Sequence, residues 1–240
     1  MLDFSEVKRN RRRFLALTGL TLKEFKLLLP EFDKAYVRRY EGKKTGAGKL
    51  RKRKPGGGRS GNLKSIEQKL LFILVYQKAY PLQIVAGELF EFGQSAANQW
   101  IHRLLPVLKD ALTTLGVMPE RNGQKFSSAE RKRNEAKDYI IDGTERRRNR
   151  PKSPEKQILH YSGKKKQHTD KNIVIANTKT KRIGFLSPTR PGTVHDKKLA
   201  EFERITYPRK SIVHKDTGFQ GYEPRVAKTL QPKKSRVTRS

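Results

Sequence analysis

The chain has 240 residues, enough for one large domain or two small ones with a real hydrophobic core. Lys and Arg number 55 against 23 Asp and Glu, and the net charge of +32 implies a polyanionic partner, here nucleic acid. The absence of cysteine excludes disulfides, a thiol nucleophile and Cys-ligated metals, and no apolar run approaches the ~20 residues of a membrane span, so a soluble, cytoplasmic, nucleoid-associated protein with no membrane partner is expected.

Residues 1–40 read as a basic helical segment. The stretch 41–62, almost all Gly, Lys and Arg, reads as a flexible basic linker that contacts phosphates without sequence preference. It is not a nucleotide-binding loop. Five residues instead of four separate Gly42 from Gly48, and Leu50 stands where Ser or Thr must reach magnesium.

Residues 63–118 are nearly neutral, with 5 basic and 4 acidic side chains, and carry the densest apolar pattern. Ser65 and Gln68 form a capping-box pair ahead of the run Leu70–Tyr76, which predicts a helix of about 14 residues ending near Tyr80 and Pro81. Pro81 suits a first helical position, with Leu82, Val85, Ala86 and Leu89 repeating at helical spacing as an apolar face. Gly93 falls in a turn, and Ser95 is placed to cap the next helix. There Ala97, Trp100, Ile101, Leu104 and Leu105 form the inner stripe, Trp100 being its core anchor. Pro106 is expected to kink or end this helix.

A separate polar stripe, Ser95, Asn98, Gln99 and His102, followed by Arg103, suits the outer face of a DNA-reading helix-turn-helix, because Asn and Gln make bidentate contacts to adenine edges. A plain helical bundle with a wet face fits the same pattern, and the net charge favours the DNA reading. His102 has no partner at ligand spacing and reads as a groove or surface residue.

Residues 119–137 read as a charged connector. From 138 the pattern changes to strands. Tyr139, Ile140 and Ile141 read as a strand ending at Asp142, where Gly143 breaks it; two strands, 172–177 and 182–186, are joined by a polar turn. A short helix over 193–204 turns Leu199 and Phe202 inward, and a last strand, 211–216, ends at Asp216. The region is therefore α/β (α+β). Two carboxylates at strand ends can meet at one sheet edge and hold a hard divalent cation, or each can pair with Lys or Arg. Spacing leaves both readings open.

Three blocks carry a resemblance: Asp142–Glu145 with Arg150 and Pro151, Pro191–Leu199, and Asp216–Gly221. In this order they resemble successive blocks of DDE-type transposases, nearest to the bacterial insertion-sequence transposases that carry a helix-turn-helix before the catalytic domain. The resemblance runs over about residues 60–235. It implies an RNase H-like catalytic domain over 138–240, Mg2+ or Mn2+ as cofactor, and cleavage and strand transfer at the DNA ends of the chain's own mobile element. It also implies Asp142 and Asp216 as the first two catalytic, metal-holding acids. His195 and Asp196 match a block at a helix start, which suggests a supporting or capping role. Glu145 falls in the first block, and pairing with Arg146–Arg148 serves it equally well.

The resemblance has one gap. The family's third acid, a Glu on a later helix, has no counterpart, since Glu223 is the one acidic residue after Asp216. The expectation is a C-terminally truncated transposase, either a decayed copy or one half of a frameshifted gene, with impaired catalysis. A non-catalytic regulator or inhibitor of transposition, partnered by a second copy or by an intact transposase, is the alternative. A basic nucleic-acid-coating protein similar to ribosomal proteins explains the charge but neither the two Asp nor the amide stripe.

Overall fold

The computed structural model describes residues 1–41, 61–133 and 137–232, so most of the predicted linker lies outside the described residues. The chain divides into two compact units, Met1–Met118 and Pro119–Ser240.

The first unit is helical: α1 (Phe4–Val7), α2 (Arg11–Thr18), α3 (Leu22–Tyr36), α4 (Ile66–Ala79), α5 (Gln83–Phe90) and α6 (Gln94–Thr114). Leu70–Tyr76 of α4 are all buried, as befits a helix that is apolar around its whole girth. Residues 1–40 are not a separate appendage, because Phe14, Phe25 and Phe32 share one core with Leu71, Phe90 and Ile101. The predicted start and length of α4 hold: Ser65 caps it and accepts from the Gln68 backbone N–H at 3.1 Å. The capping box is half formed, however. The Gln68 side chain is buried and serves the N-terminus instead, accepting from Phe4 N–H at 2.9 Å and donating to the Leu2 carbonyl at 2.6 Å.

Three details of α5 and α6 depart from expectation. The inner face of α5 is Ala86, Gly87 and Phe90, whereas Leu82, Val85 and Leu89 are exposed. Gly87 sets this rotation, because a side chain there would collide with the Phe92 carbonyl. Helix α6 starts one residue before Ser95, so Gly93 is its N-cap and Ser95 makes no cap. It then runs straight through Pro106 to Thr114, since losing one hydrogen bond does not outweigh the burial of Leu104, Val107, Leu108 and Ala111 on its inner face. Trp100 is half-buried at the edge of this core.

The second unit contains α7 (Phe126–Arg131), β1 (Asp138–Arg147), α8 (Pro154–His160), β2 (Tyr161–Ser162), β3 (Gln167–Asn177), β4 (Ile183–Leu186), β5 (Arg190–Pro191), α9 (Asp196–Phe202), β6 (Ile212–Lys215) and β7 (Lys228–Leu230). The sheet runs β2-β3-β1-β6-β7, with β4 and β5 also on β3. β1, β3 and β4 pair antiparallel, and β6 and β7 add to β1 in parallel. The sheet is therefore mixed, antiparallel on the β3 side of β1 and parallel on the β6 side. Tyr139, Ile141, Ile173, Ile175 and Val213 bury one sheet face together with Phe126 of α7 and Leu199 of α9. Residues 119–133 therefore belong to this unit and are not a bare connector. Within them Glu130 is buried and accepts from Arg133 at 2.8 Å, Arg182 at 3.2 Å and the Tyr139 hydroxyl at 3.2 Å. Phe202, expected inside, is exposed beneath the Arg190 guanidinium at 4.1 Å.

Candidate functional site

The pairing of β1 with β6 sets the site. Ile141 is the register partner of Lys215, so the next residues, Asp142 and Asp216, stand side by side where the parallel pairing stops. Asp142 is not at the end of its own strand. Gly143 continues β1 to Arg147 because β3 pairs with it that far, and it is the neighbour β6 that ends. Both Asp are exposed and line one cavity of about 590 Å³.

Local backbone amides orient each carboxylate. The Asp142 Oδ1 accepts from Gly143 N–H at 2.8 Å, and the Asp216 Oδ1 accepts from Gly218 N–H at 2.9 Å. The nearby cations have other partners. Lys215 is buried and donates to the Tyr222 carbonyl at 2.5 Å and to Glu223 at 3.0 Å, and Arg146 donates to Asn172 at 2.8 Å. Among the described residues no Lys or Arg pairs with Asp142 or Asp216. Among the described residues, the salt-bridge alternative left open by spacing is therefore not adopted.

A third carboxylate approaches from α9. Asp196 is its first residue, with Oδ1 3.1 Å from Lys171 Nζ; this is a charge contact without hydrogen-bond alignment, and Oδ1 has no other partner. A methyl group added at Gly143 would lie 2.5 Å from Asp196 Oδ1, and one at Gly218 would lie 3.0 Å from Asp196 Oδ2 and 3.1 Å from Asp216 Oδ1. Asp196 thus packs over the two glycines that follow the paired acids. His195 occupies the N-cap position of α9, is exposed and makes no capping bond. Among the described residues, no three His, Asp or Glu side chains are gathered as a ready metal site. The place of Asp196 was not readable as packing, since glycine contacts between distant segments leave no periodic trace.

Glu145 does not pair with Arg146–Arg148. It accepts from Thr169 at 2.6 Å, and although burial pushes its carboxyl up, hydrogen bonds from Ser162 and Thr169 and the charges of Lys171 and Lys165 hold it below its ordinary 4.5.

In the first unit, Ser95, Gln99 and His102 lie exposed on α6, while Asn98 is half-buried and donates to Gln83 of α5 at 3.2 Å. Arg103 is not a free cation of the stripe. Its guanidinium lies 4.5 Å over the Tyr40 ring and 5.4 Å over Trp100, in an aromatic cluster shared with Lys69. This cluster gives the half-buried Trp100 its surroundings.

No helix among the described residues is long and apolar enough to cross a membrane. No curated protein and no solved structure matches the chain. Two family models do: residues 61–114 match the helix-turn-helix of DDE superfamily endonuclease, and residues 141–239 match the DDE superfamily endonuclease itself. These ranges cover α4–α6 and the sheet that carries both strand-adjacent Asp. Joined in one chain in this order, these two matches support a DDE-type transposase.

Proposed function

We infer that the chain binds DNA ends of its own mobile element through the outer face of α6, with Ser95, Gln99 and His102 toward the groove. Asn98 then contributes through its bond to Gln83 and Arg103 through its aromatic seat, each holding α6 in place. Asp142 and Asp216 hold a divalent cation, Mg2+ or Mn2+. The observation that carries this reading is the side-by-side placement of two exposed carboxylates that, among the described residues, have no basic partner in a chain of net charge +32. Hard oxygen donors that are solvated and already oriented by backbone N–H groups suit a cation that keeps several of its waters.

Such a cation supplies Lewis-acid stabilisation of phosphate charge and an activated oxygen nucleophile in phosphodiester cleavage and strand transfer. The chain's own part is placement. The Gly143 and Gly218 amides fix the two carboxylates, and Asp196, held by Lys171, closes the space above those glycines and keeps both turns in register.

A second reading has its own support. Among the described residues Glu223 is bound to Lys215, which leaves Asp142 and Asp216 as the freely placed pair where the family's resemblance calls for three acids. The chain alone then occupies element ends and restrains an intact transposase, with cleavage weak or lost. Purified chain is assayed for binding and for Mg2+-dependent nicking of end DNA, beside Asp142→Asn. Binding by both proteins with nicking by neither supports the regulatory reading. Nicking that Asp142→Asn abolishes supports the enzyme, and nicking that survives Asp142→Asn overturns the assignment of Asp142.

A further inference from the structure

Asp142 borders a second cavity, of about 590 Å³, on the side of Glu145. The turn Gly163–Lys166 between β2 and β3 flanks it on one side and the loop Gly192–His195 before α9 on the other. We propose that this groove is the track for the sugar–phosphate backbone of the DNA strand being processed, with Lys164 and Lys165 on the phosphates beside the scissile one. The proposal rests on the reading of Asp142 and Asp216 as the metal-holding pair.

The two cavities that meet at Asp142 differ in chemistry. The first is walled by Ile140, Leu230 and Pro232, and its polar side chains besides the two Asp are already engaged: His214 by Asp138, Lys215 by Glu223 and Gln231 by the Asp216 carbonyl. The second presents three lysines, hydroxyls and glycines together with Glu145, His195 and Asp196. Lys164 and Lys165 are exposed and among the described residues form no salt bridge, Lys165 acting on Glu145 only as a neighbouring charge, whereas Lys171 in the same groove is held by Asp196 and the Val194 carbonyl. Exposed cations outside any salt bridge, beside the carboxylate pair, are what a polyanion backbone needs.

The turn also presents these lysines in a fixed way. Lys166 sits in the left-handed region at φ 53°, and the Lys165 N–H donates to the buried Ser162 hydroxyl at 3.3 Å. Gly163 has open space where a side chain would stand, so a backbone can approach closely. Glu145 stays ionised on the same wall, turned to Thr169 and Ser162, and the charges of Lys171 and Lys165 offset it.

Lysine footprinting of the full chain tests this without altering the fold. The probe is a 25-base-pair DNA duplex, and acetylation of each lysine is read by mass spectrometry with and without it. Lys164 and Lys165 are expected to lose reactivity at least about threefold, with Lys179 and Lys181, exposed in the β3–β4 turn outside the groove, unchanged. Saturating DNA that leaves Lys164 and Lys165 as reactive as before overturns the proposal, and so does equal protection of all four, which marks nonspecific coating. In Lys164→Gln/Lys165→Gln the slope of log affinity against log salt should flatten by about 1.8, at ~0.9 per lost phosphate contact; an unchanged slope counts against the groove. Metal binding at Asp142 is measured separately, so loss of the groove and loss of the metal reading are distinguishable.

Discussion

Asp196 and Gly143 are pressed together: a methyl group on Gly143 would come within 2.5 Å of Asp196 Oδ1, and Lys171 at 3.1 Å holds that oxygen in place. The contact joins α9 to the residue after Asp142, linking the short helix to the placement of the acids.

Gly143→Ala is therefore expected to lower the stability of the second unit by ~1–3 kcal/mol, the ordinary range for overpacking. Asp196→Ala should remove much of that penalty, giving a coupling energy of ~0.5–3 kcal/mol in a double-mutant cycle followed by chemical denaturation. Strictly additive effects would show that the two do not press on each other.

Glu130 is the buried hub of the segment before β1, serving Arg133, Arg182 and Tyr139. Glu130→Ala leaves two guanidinium groups without their buried partner and should cost ~3–5 kcal/mol, the range for breaking a buried pair. A loss under about 1 kcal/mol, the level of an exposed pair, would contradict this account.

The depressed carboxyl of Glu145 has a sign that can be checked. Its folded pKa lies below its ordinary 4.5, so the ionised side chain stabilises the fold above that pH, and the contribution fades as pH falls through the folded value. Glu145→Gln should flatten the acid limb of a stability–pH profile below about pH 4.5 and leave its shape unchanged near neutrality. Parallel profiles for the two proteins would exclude this role.

On α6, Gln99 and Asn98 should separate. Gln99→Ala is expected to weaken preference for the element's own ends over random DNA by ~1–3 kcal/mol with the salt slope intact. Asn98→Ala also removes the bond to Gln83 and should lower thermal stability, by ~1 kcal/mol. Equal specificity in wild type and Gln99→Ala would remove α6 as the reading element.

What the sequence disclosed followed from local chemistry. Ser65 and the apolar run after it marked the start and approximate length of α4, and Tyr139–Ile141 marked the first half of β1. The second half, Gly143–Arg147, is polar and held by pairing with β3, so no periodicity announced it. Leu82, Val85 and Leu89 repeated correctly for a helix but on the exposed face, because a close approach at Gly87 decided which side turned inward. Glu130 lies in the stretch read only as a charged connector, since it is tertiary packing that brings Arg182 to it. The adjacency of Asp142 and Asp216 was an inference from strand ends. The parallel register of Ile141 with Lys215 supplies its geometric basis, while Asp196 enters through packing that spacing does not encode.

The central claim is that Asp142 and Asp216 share one divalent cation. Loading the full chain with Fe2+ and ascorbate generates hydroxyl radicals where the metal sits, and mass spectrometry locates the resulting backbone cuts. The account predicts cuts flanking residues 142 and 216, suppressed by excess Mg2+ and lost together in either Asp142→Asn or Asp216→Asn. Cuts elsewhere, or cuts at these positions that persist in both variants, would contradict it.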